Sequence, residues 1–581
     1  MRQRLSGRLQ QLWEHSRLRL SAAEAVLLLS VLGTGCGLVA GAVILCFRAA
    51  IDLGQHLLLP AGPESYEALP PLWRLLFSTL GGLLIGLYLW RLATPAAREV
   101  GVAHVIKRVA YHQGYLPLRN AVHGFIGGVL SLLSGHSVGR EGPSVHLGAA
   151  TGSQLGQWLR LPNNSLRSLV ACGTAAAIGA SFNTPLAGVA FAMEVVLMEY
   201  TIAGFLPVIL AAVSATALMR LFYGHDLAFS VPPLHMESLL EIPYFLLSGL
   251  LIGALAASFI QLLRSIARLA YGRAVVLRCL AAGIGVGLCG LLVPEVMGLG
   301  YDTVNQALLG QIGLLALLAI VAFKTIATGI AIGAGLPGGV IGPTFVIGAA
   351  AGGVLGQLAG QLAPGAASSV GFYALIGMGA MMSASLRAPL AAITAMLELT
   401  GNPNVIMPGM LTVAAATLVC SEVFKQGSVF TVLRPQGGGR HRDELLQGLA
   451  RLGIAPVMDR RLAVLPRHVD RSSLEAALKR QPRWILLQEQ PTEPPLALLP
   501  VTDVLAELQS CEPQQPVDLL AMPAKRLQPA AIDLRATLRE ALDTMREKGA
   551  EALYVVHGRA ASRQRIYGII TRGDIESQFF L

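Results

Sequence analysis

The chain has 581 residues, of which 54% are hydrophobic and only 13% are charged, and it carries a net charge of +10. Soluble domains usually contain about 25% charged residues, so this composition excludes a wholly soluble protein and predicts a chain that lies largely in a bilayer. No groove-reading motif accompanies the basic residues, and we therefore expect no nucleic-acid partner. The seven cysteines lack the paired spacing of a disulfide framework or a metal site.

Three regions follow one another along the chain. Residues 1–21 are basic and predict a cytoplasmic amphipathic helix. Residues 22–433 are a series of apolar stretches broken by Gly/Pro-rich pieces, which is typical of a multi-pass membrane domain. A turn-rich linker at 434–454 then leads into a polar region that predicts a soluble α/β domain. Because basic residues are abundant at both ends, we expect both termini in the cytoplasm.

The membrane region contains an internal repeat. Two pairs of segments match in the same order, 142–152 with 342–352 and 180–187 with 384–391. The second match extends to Glu194 and Glu398, which we expect to tie helices together through hydrogen bonds to the backbone. Close packing of small residues would explain the glycines alone, but not the ordered prolines and glutamates. The repeat therefore predicts two homologous halves, about 22–220 and 240–433, of the kind found in transporters.

Both halves place Gly-Pro at a predicted helix start, at 142–143 and at 342–343. Proline is tolerated in the first turn of a helix, and the glycine before it leaves backbone N–H groups accessible. Such N–H groups and the positive end of the helix dipole bind anions without a fixed cation. We expect the two starts to face one ion near the middle of the membrane.

Glu141 lies at the first of these helix starts. An ionisable side chain at membrane depth is costly and indicates a functional position. Its carboxylate would occupy the place of the anion, and protonation would let it move away, which predicts a gate. The alternative is a loop-end carboxylate that simply pairs with Arg140. Lys324, in an apolar run, has two interpretations: it raises the potential near the pathway, or it binds a helix C-terminus.

Several blocks of the membrane region resemble the CLC family of chloride channels and chloride–proton exchangers, bacterial type. They are Gly-Arg-Glu-Gly-Pro at 139–143, Pro-Leu-Ala-Gly-Val-Ala-Phe-Ala-Met-Glu at 185–194, Phe-Lys-Thr at 323–325 before Gly-Ala-Gly at 333–335, and Gly-Gly-Val-Ile-Gly-Pro at 338–343. The resemblance implies an all-α polytopic fold with an antiparallel inverted repeat and broken, re-entrant helices. It also implies a homodimer in the inner (plasma) membrane, with one anion pathway in each subunit.

The same resemblance assigns roles to individual residues. It makes Glu141 the external gating glutamate and places anion-binding backbone amides around Arg140, Gly142, Val340 and Ile341.

Two further anion-binding positions depart from the family pattern. The coordinating serine of the family falls on Val100, and its inner tyrosine falls on Phe430. Two hydroxyl donors are therefore missing, which leaves nitrate, fluoride or loose halide selectivity open beside chloride.

A third departure concerns protons. The inner proton-accepting glutamate of exchangers falls on Val195, which cannot titrate. Glu199, one helical turn further on the expected same face, is a weak substitute. We therefore favour a channel-like or weakly proton-coupled pathway for a chloride-like anion, and proton-coupled exchange is the alternative.

The C-terminal region resembles a pair of CBS modules, a degenerate one at 455–508 and a second at 517–581. Such modules pair and often bind adenine nucleotides in their clefts. Thr571 and Asp574 match the ribose-contacting pair of the family, whereas Pro500 replaces the corresponding hydroxyl in the first module. A purely structural dimerisation domain is the alternative.

Other functions fit the sequence less well. A cation-coupled symporter would need further midplane carboxylates, and an intramembrane hydrolase would need a nucleophile–base set or a His-Glu-x-x-His motif. A nucleotide sensor without transport would leave the repeat unexplained. We expect no enzymatic activity, no metal and no cofactor besides the adenine nucleotide. The expected partners are an anion, protons, membrane lipid and a second copy of the chain.

Overall fold

The computed structural model describes residues 26–200, 202–224, 229, 231, 235–433, 449, 452–490, 493–508, 517–556 and 566–577. The described residues cluster into two compact units, which are presented separately. One unit contains 26–159 and 166–433, and the other contains 160–165 and the residues from 449 onwards. The helix predicted at 1–21 and most of the predicted linker at 434–454 lie outside the described residues.

The first unit is built from α-helices. In chain order they are α1 Val26–Leu58, α2 Pro71–Leu92, α3 Val102–Tyr111, α4 Leu118–Leu133, α5 Glu141–Trp158, α6 Asn163–Phe182, α7 Pro185–Phe191, α8 Ile202–Tyr223, α9 Ile242–Ala270, α10 Val275–Leu292, α11 Tyr301–Leu308, α12 Leu314–Gly333, α13 Ile341–Leu362, α14 Val370–Leu386, α15 Pro389–Thr400, α16 Ile406–Leu418 and α17 Val429–Val432. Helices α7 and α16 continue into π-helical turns, Ala192–Leu197 and Val419–Val423. Short 3₁₀ turns lie at Tyr66–Ala68, Pro95–Arg98, Leu239–Glu241, Pro294–Val296 and Pro403–Val405.

Many of these helices suit a bilayer. Among the described residues, nine candidate spans are long and apolar enough to cross a membrane. Leucines and other large apolar side chains are exposed along several of them, for example Leu27, Leu80 and Leu315. In water such surfaces would be costly, but lipid is their natural solvent. The first unit is a multi-pass membrane domain.

The two halves of this domain contact each other through equivalent groups. The Glu194 carboxylate accepts hydrogen bonds from the free N–H groups of Leu390 and Ala391 at the start of α15, at 3.1 and 2.9 Å. Glu398 does the same at the start of α7 through two bonds of 2.8 Å. Carboxylates are well placed there because the first N–H groups of a helix have no partner within it. The expected backbone-binding role of both glutamates is confirmed.

In the described ranges, the second unit contains the strands and four further helices whose bounds are given. The strands are β1 Leu462–Leu465, β2 His468–Val469, β3 Trp484–Leu487, β4 Ala497–Pro500, β5 Val517–Asp518, β6 Pro529–Asp533, β7 Ala552–Val556 and β8 Ile566–Thr571. The helices are α18 Arg471–Leu478, α19 Val501–Leu508, α20 Leu538–Lys548 and α21 Arg572–Ser577. Helix α20 has clear local signals, because Thr537 and Glu540 form a capping box and Gly549 ends the helix at φ 61°.

Two sheets in this unit share one topology. Their strand orders are β1-β3-β4 and β6-β7-β8. In each sheet the first two strands are parallel and the last two are antiparallel. A small apolar cluster that includes Leu486, Leu498 and Ile569 joins the two sheets. The second unit is therefore a pair of similar α/β modules packed on a common core.

Candidate functional site

The N-termini of α5 and α13 meet inside the membrane domain. Just before them, Gly139 and Gly339 exchange two backbone hydrogen bonds of 2.7 Å each. A Cβ added to Gly142 would lie 2.6 Å from the carbonyl oxygen of Gly338, so only glycine permits this approach. The two repeats thus bring two electropositive helix starts to one place, as the repeated Gly-Pro pattern predicts.

The Glu141 side chain lies at this junction and is fully buried, with 0% exposure. Its Oε2 accepts a hydrogen bond from the Gly342 N–H at 3.1 Å. Its Oε1 accepts a hydrogen bond from the Tyr301 hydroxyl. The carboxylate of one repeat therefore sits on the helix start of the other repeat, where an anion would bind.

Arg140 does not pair with Glu141 within the described structure. Its guanidinium donates to the Ser181 carbonyl oxygen at 3.0 Å and lies 5.3 Å from the centre of the Tyr301 ring. The alternative interpretation of Glu141, a simple ion pair with its sequence neighbour, is not what the geometry shows.

A cavity of about 510 Å³ lies on one side of Glu141 and is called the Phe430 cavity here. Five of the predicted anion-binding positions line it together: Val100, Gly142, Val340, Ile341 and Phe430. Val340 and Ile341 stand at the start of α13, where backbone N–H groups have no acceptor within the helix. Neither Val100 nor Phe430 contributes a hydroxyl, so an anion here relies on backbone donors and water.

The charge of the Phe430 cavity suits an anion. Its lining contains four basic side chains, Arg98, Lys107, Arg273 and Arg278, and one acidic side chain, Glu99. Glu99 is already neutralised by Lys107, whose Nζ lies 2.8 Å from its carboxylate. The remaining excess of positive charge raises the local concentration of anions.

A second cavity of about 500 Å³ is called the Tyr301 cavity. It is lined by Arg140, the sixth predicted anion-binding residue, and by Tyr301. Residues on either side of Glu141 thus line different cavities, Arg140 the second and Gly142 the first. Glu141 lines neither cavity itself and lies between residues of the two.

Val195 lies apart from both cavities. It is buried, with 4% exposure, in the π-helical turn that follows α7. The expectation that Glu199 continues this helix on the same face is wrong, because the turn ends at Leu197 and Met198 takes a left-handed conformation (φ 56°). The Glu199 carboxylate instead lies 3.3 Å from the Arg167 guanidinium.

Lys324 is a fully buried cation that binds backbone carbonyl groups. Its Nζ donates to the carbonyl oxygens of Val296 and Gly298, at 3.0 Å each. Of its two interpretations, the structure favours carbonyl binding, since Val296 is the last residue of a 3₁₀ turn. The sequence does not predict Tyr301 as a site residue. The only local signal for it is Gly-Leu-Gly before it, in which both glycines have positive φ.

The predicted nucleotide-contacting pair lies at the start of α21. Asp574 Oδ2 accepts hydrogen bonds from the N–H of Thr571 at 2.8 Å and from its hydroxyl at 2.7 Å. Both side chains are half-buried and accessible from the surface. In the first module Asp503 accepts from the Lys525 N–H at 3.0 Å. Within the described ranges, no group of three His, Cys, Asp or Glu residues has the arrangement of a metal site.

Comparisons with known proteins agree with this geometry. The sequence model of the voltage gated chloride channel family matches residues 81–421. A putative chloride channel protein ClcB-like of Ralstonia nicotianae is 36% identical over 352 residues, which are 59% of this chain and 82% of that protein. The H(+)/Cl(-) exchange transporter ClcA of Vibrio cholerae is 31% identical over 410 residues, 68% of this chain and 86% of that protein.

Solved structures share the fold. A slow cyanobacterial Cl-/H+ antiporter aligns with a TM-score of 0.62 at 24% identity, over 70% of this chain and 96% of that one. A CLC-type fluoride/proton antiporter aligns with a TM-score of 0.59 at 25% identity, over 71% of this chain and 98% of that one. A eukaryotic CLC transporter aligns with a TM-score of 0.60 at 20% identity, over 95% of this chain and 99% of that one. The predicted fold class, an all-α polytopic membrane domain with a separate α/β region, is confirmed. The chain belongs to the voltage-gated chloride channel (CLC) family of anion transport proteins.

Proposed function

We propose that this protein exchanges a chloride-like anion for protons across the plasma membrane, through a pathway gated by Glu141. The observation that carries the proposal is the buried Glu141 carboxylate on the Gly342 amide, between two cavities. We further propose that the protein is a homodimer with one pathway in each subunit and that both termini are cytoplasmic. No enzymatic step is proposed.

The geometry gives one side chain two tasks. While ionised, the Glu141 carboxylate occupies an amide that an anion would use. Protonation removes its charge and so weakens its hold on this electropositive helix start. An anion can then take its place. Because the same group binds the proton and competes with the anion, movement of the two ions is linked.

The relatives support proton exchange as the mode of transport. The Vibrio cholerae relative is named as an H(+)/Cl(-) exchange transporter, and the solved structure at 25% identity is a fluoride/proton antiporter. Chloride is the proposed anion because the relatives at 36% and 31% identity are both named for chloride.

A channel-like pathway is the second candidate, and Val195 favours it. This side chain is apolar and buried where exchangers of the family carry a proton-accepting glutamate. The displaced position of Glu199 also removes the nearest substitute on that helix.

The deciding experiment is the reversal potential of reconstituted protein under separate chloride and pH gradients. Proton exchange predicts a reversal potential that shifts when only the pH gradient changes, whereas a channel follows the chloride gradient alone. Nitrate and fluoride replace chloride in parallel measurements to determine selectivity. Absence of anion-dependent current or flux from both wild-type protein and Glu141→Ala would contradict the proposed function.

A further inference from the structure

Tyr301 is a second contact of the gating carboxylate, contributed by a different part of the chain. It is the first residue of α11, and its hydroxyl donates to Glu141 Oε1. Gly342 binds the other oxygen of the same carboxylate. Each oxygen of Glu141 thus has its own donor, one from the backbone and one from a side chain.

The Tyr301 ring is firmly held. Its centre lies 5.2 Å from the ring of Phe229 and 6.2 Å from that of Phe182, and the Arg140 guanidinium lies 5.3 Å from it. Aromatic pairs and a cation near the ring each restrict its movement. The hydroxyl is therefore presented to Glu141 from a fixed position.

The backbone before Tyr301 is held as well. Gly298 and Gly300 have φ of 58° and 75°, a conformation that favours glycine. The buried Lys324 Nζ binds the carbonyl oxygens of Val296 and Gly298 in this same segment. A buried cation thus fixes the turn from which Tyr301 extends.

We propose that Tyr301 is a positioning residue that latches Glu141 in its buried position, through the hydrogen bond from its hydroxyl to the carboxylate. The inference rests on the proposed gating role of Glu141. Hydrogen bonds to a charged acceptor are about twice as strong as neutral ones, so the loss of this bond favours the displaced carboxylate. Val100 and Phe430 bring no hydroxyl to the pathway, whereas Tyr301 brings one to the gate.

The latch has a measurable consequence for anion binding. The carboxylate and the anion compete for the Gly342 N–H, so the apparent anion affinity falls with the fraction of protein whose gate is closed. Tyr301→Phe keeps the ring and removes the donor. It therefore raises the fraction with a displaced carboxylate and tightens apparent anion binding.

The test is calorimetric titration of purified full-length protein with chloride. Tyr301→Phe is expected to tighten apparent chloride affinity about threefold to tenfold. Tyr244→Phe is the matched control, because its hydroxyl bonds the Leu355 carbonyl at 2.8 Å and it lines neither cavity. Tyr244→Phe should leave the apparent chloride affinity unchanged. In a Glu141→Ala background, Tyr301→Phe should have no effect.

Two results would overturn the latch. One is an unchanged affinity in Tyr301→Phe and in Tyr301→Leu, a second variant that lacks the hydroxyl, while both remain folded by size-exclusion chromatography. The other is a weakened affinity in both the wild-type and the Glu141→Ala backgrounds, since the hydroxyl would then be an anion ligand. Equal chloride binding by wild type and Glu141→Ala would instead contradict the gating role itself, so the two failures are distinguishable.

Discussion

At the scale of single residues, the Glu141 carboxylate combines burial with two hydrogen-bond donors on separate oxygens. Glutamine has nearly the same shape and resembles the protonated, uncharged acid. It also cannot ionise, so it does not return to the anion site as a competing charge when the pH rises.

Glu141→Gln is therefore expected to keep anion flux and to lose most of its pH dependence. Chloride efflux from liposomes across a series of pH values measures this, with wild-type protein in parallel. Proton movement coupled to chloride should disappear in the same variant. A flux that still falls steeply with rising pH in Glu141→Gln would assign the gate to another group.

Glu141 is predicted at this site from local sequence, whereas Val100 and Phe430 are placed there by the family resemblance alone. Gly-Arg-Glu-Gly-Pro fixes the backbone at a helix start, so the position of Glu141 follows from its immediate neighbours. Tyr301 has only the preceding Gly-Leu-Gly as a local signal, and for Lys324 the sequence leaves two roles open. Tyr301 meets Glu141 across 160 residues of sequence, and Lys324 binds carbonyl groups 26 and 28 residues away. Roles that depend on contacts between distant segments are visible only in the folded chain.

At the scale of helices, glycines allow α13 and α14 to pack backbone against backbone. A Cβ on Gly348 would lie 2.5 Å from the Gly377 carbonyl oxygen and 2.7 Å from the Met381 Cβ. A Cβ added to Gly360, in the same helix, would meet no atom of a neighbouring element within 4 Å. Close helix contacts in membranes depend on such small residues.

Gly348→Ala is accordingly expected to destabilise the membrane domain by about 1–3 kcal/mol, because the added methyl group overpacks a rigid contact. Gly360→Ala is the matched control, and it should be neutral or stabilising by up to about 1 kcal/mol, since alanine is the better helix former. The measurement is thermal unfolding in detergent: each variant is heated, and the amount of dimer or monomer that remains is measured by size-exclusion chromatography. Equal loss of stability in Gly348→Ala and Gly360→Ala would mean that the α13–α14 contact accommodates the added methyl group.

The sequence pattern predicts where helices begin better than where they end. The apolar spans and the helix starts at Gly-Pro follow from composition and proline geometry. The end of the π-helical turn does not, because Met198 adopts φ 56° although methionine is no preferred residue there. A helical wheel drawn through this point puts Val195 and Glu199 on one face, but the helical turn ends between them at Leu197.

At the scale of the whole chain, the family match at 81–421 leaves the C-terminal α/β unit outside it. The sequence predicts a soluble α/β region with a module at 517–581, and the structure has strands β7 and β8 and helix α20 within these bounds. The capping box of Thr537 and Glu540 before α20 is a local sequence signal of this region. The common strand order of its two sheets appears only in three dimensions. This shared strand order supports the prediction from the sequence that 455–508 and 517–581 are paired CBS modules.

Nucleotide binding by this pair stays a prediction and has a direct test. The Thr571–Asp574 contact holds a hydroxyl and a carboxylate together at a surface-accessible helix start, which is suitable for a ribose. Full-length protein is expected to bind ATP or AMP, and Asp574→Ala should weaken the affinity at least about tenfold, as loss of a charged hydrogen-bond acceptor does. Asp503→Ala is the control in the first module, where Pro500 replaces the hydroxyl, and it should bind as wild type does. Calorimetric titration with each nucleotide measures these affinities. Equal affinities in Asp574→Ala and Asp503→Ala would contradict a site at Thr571 and Asp574. Absence of nucleotide binding by the wild-type protein would favour a purely structural pair of modules.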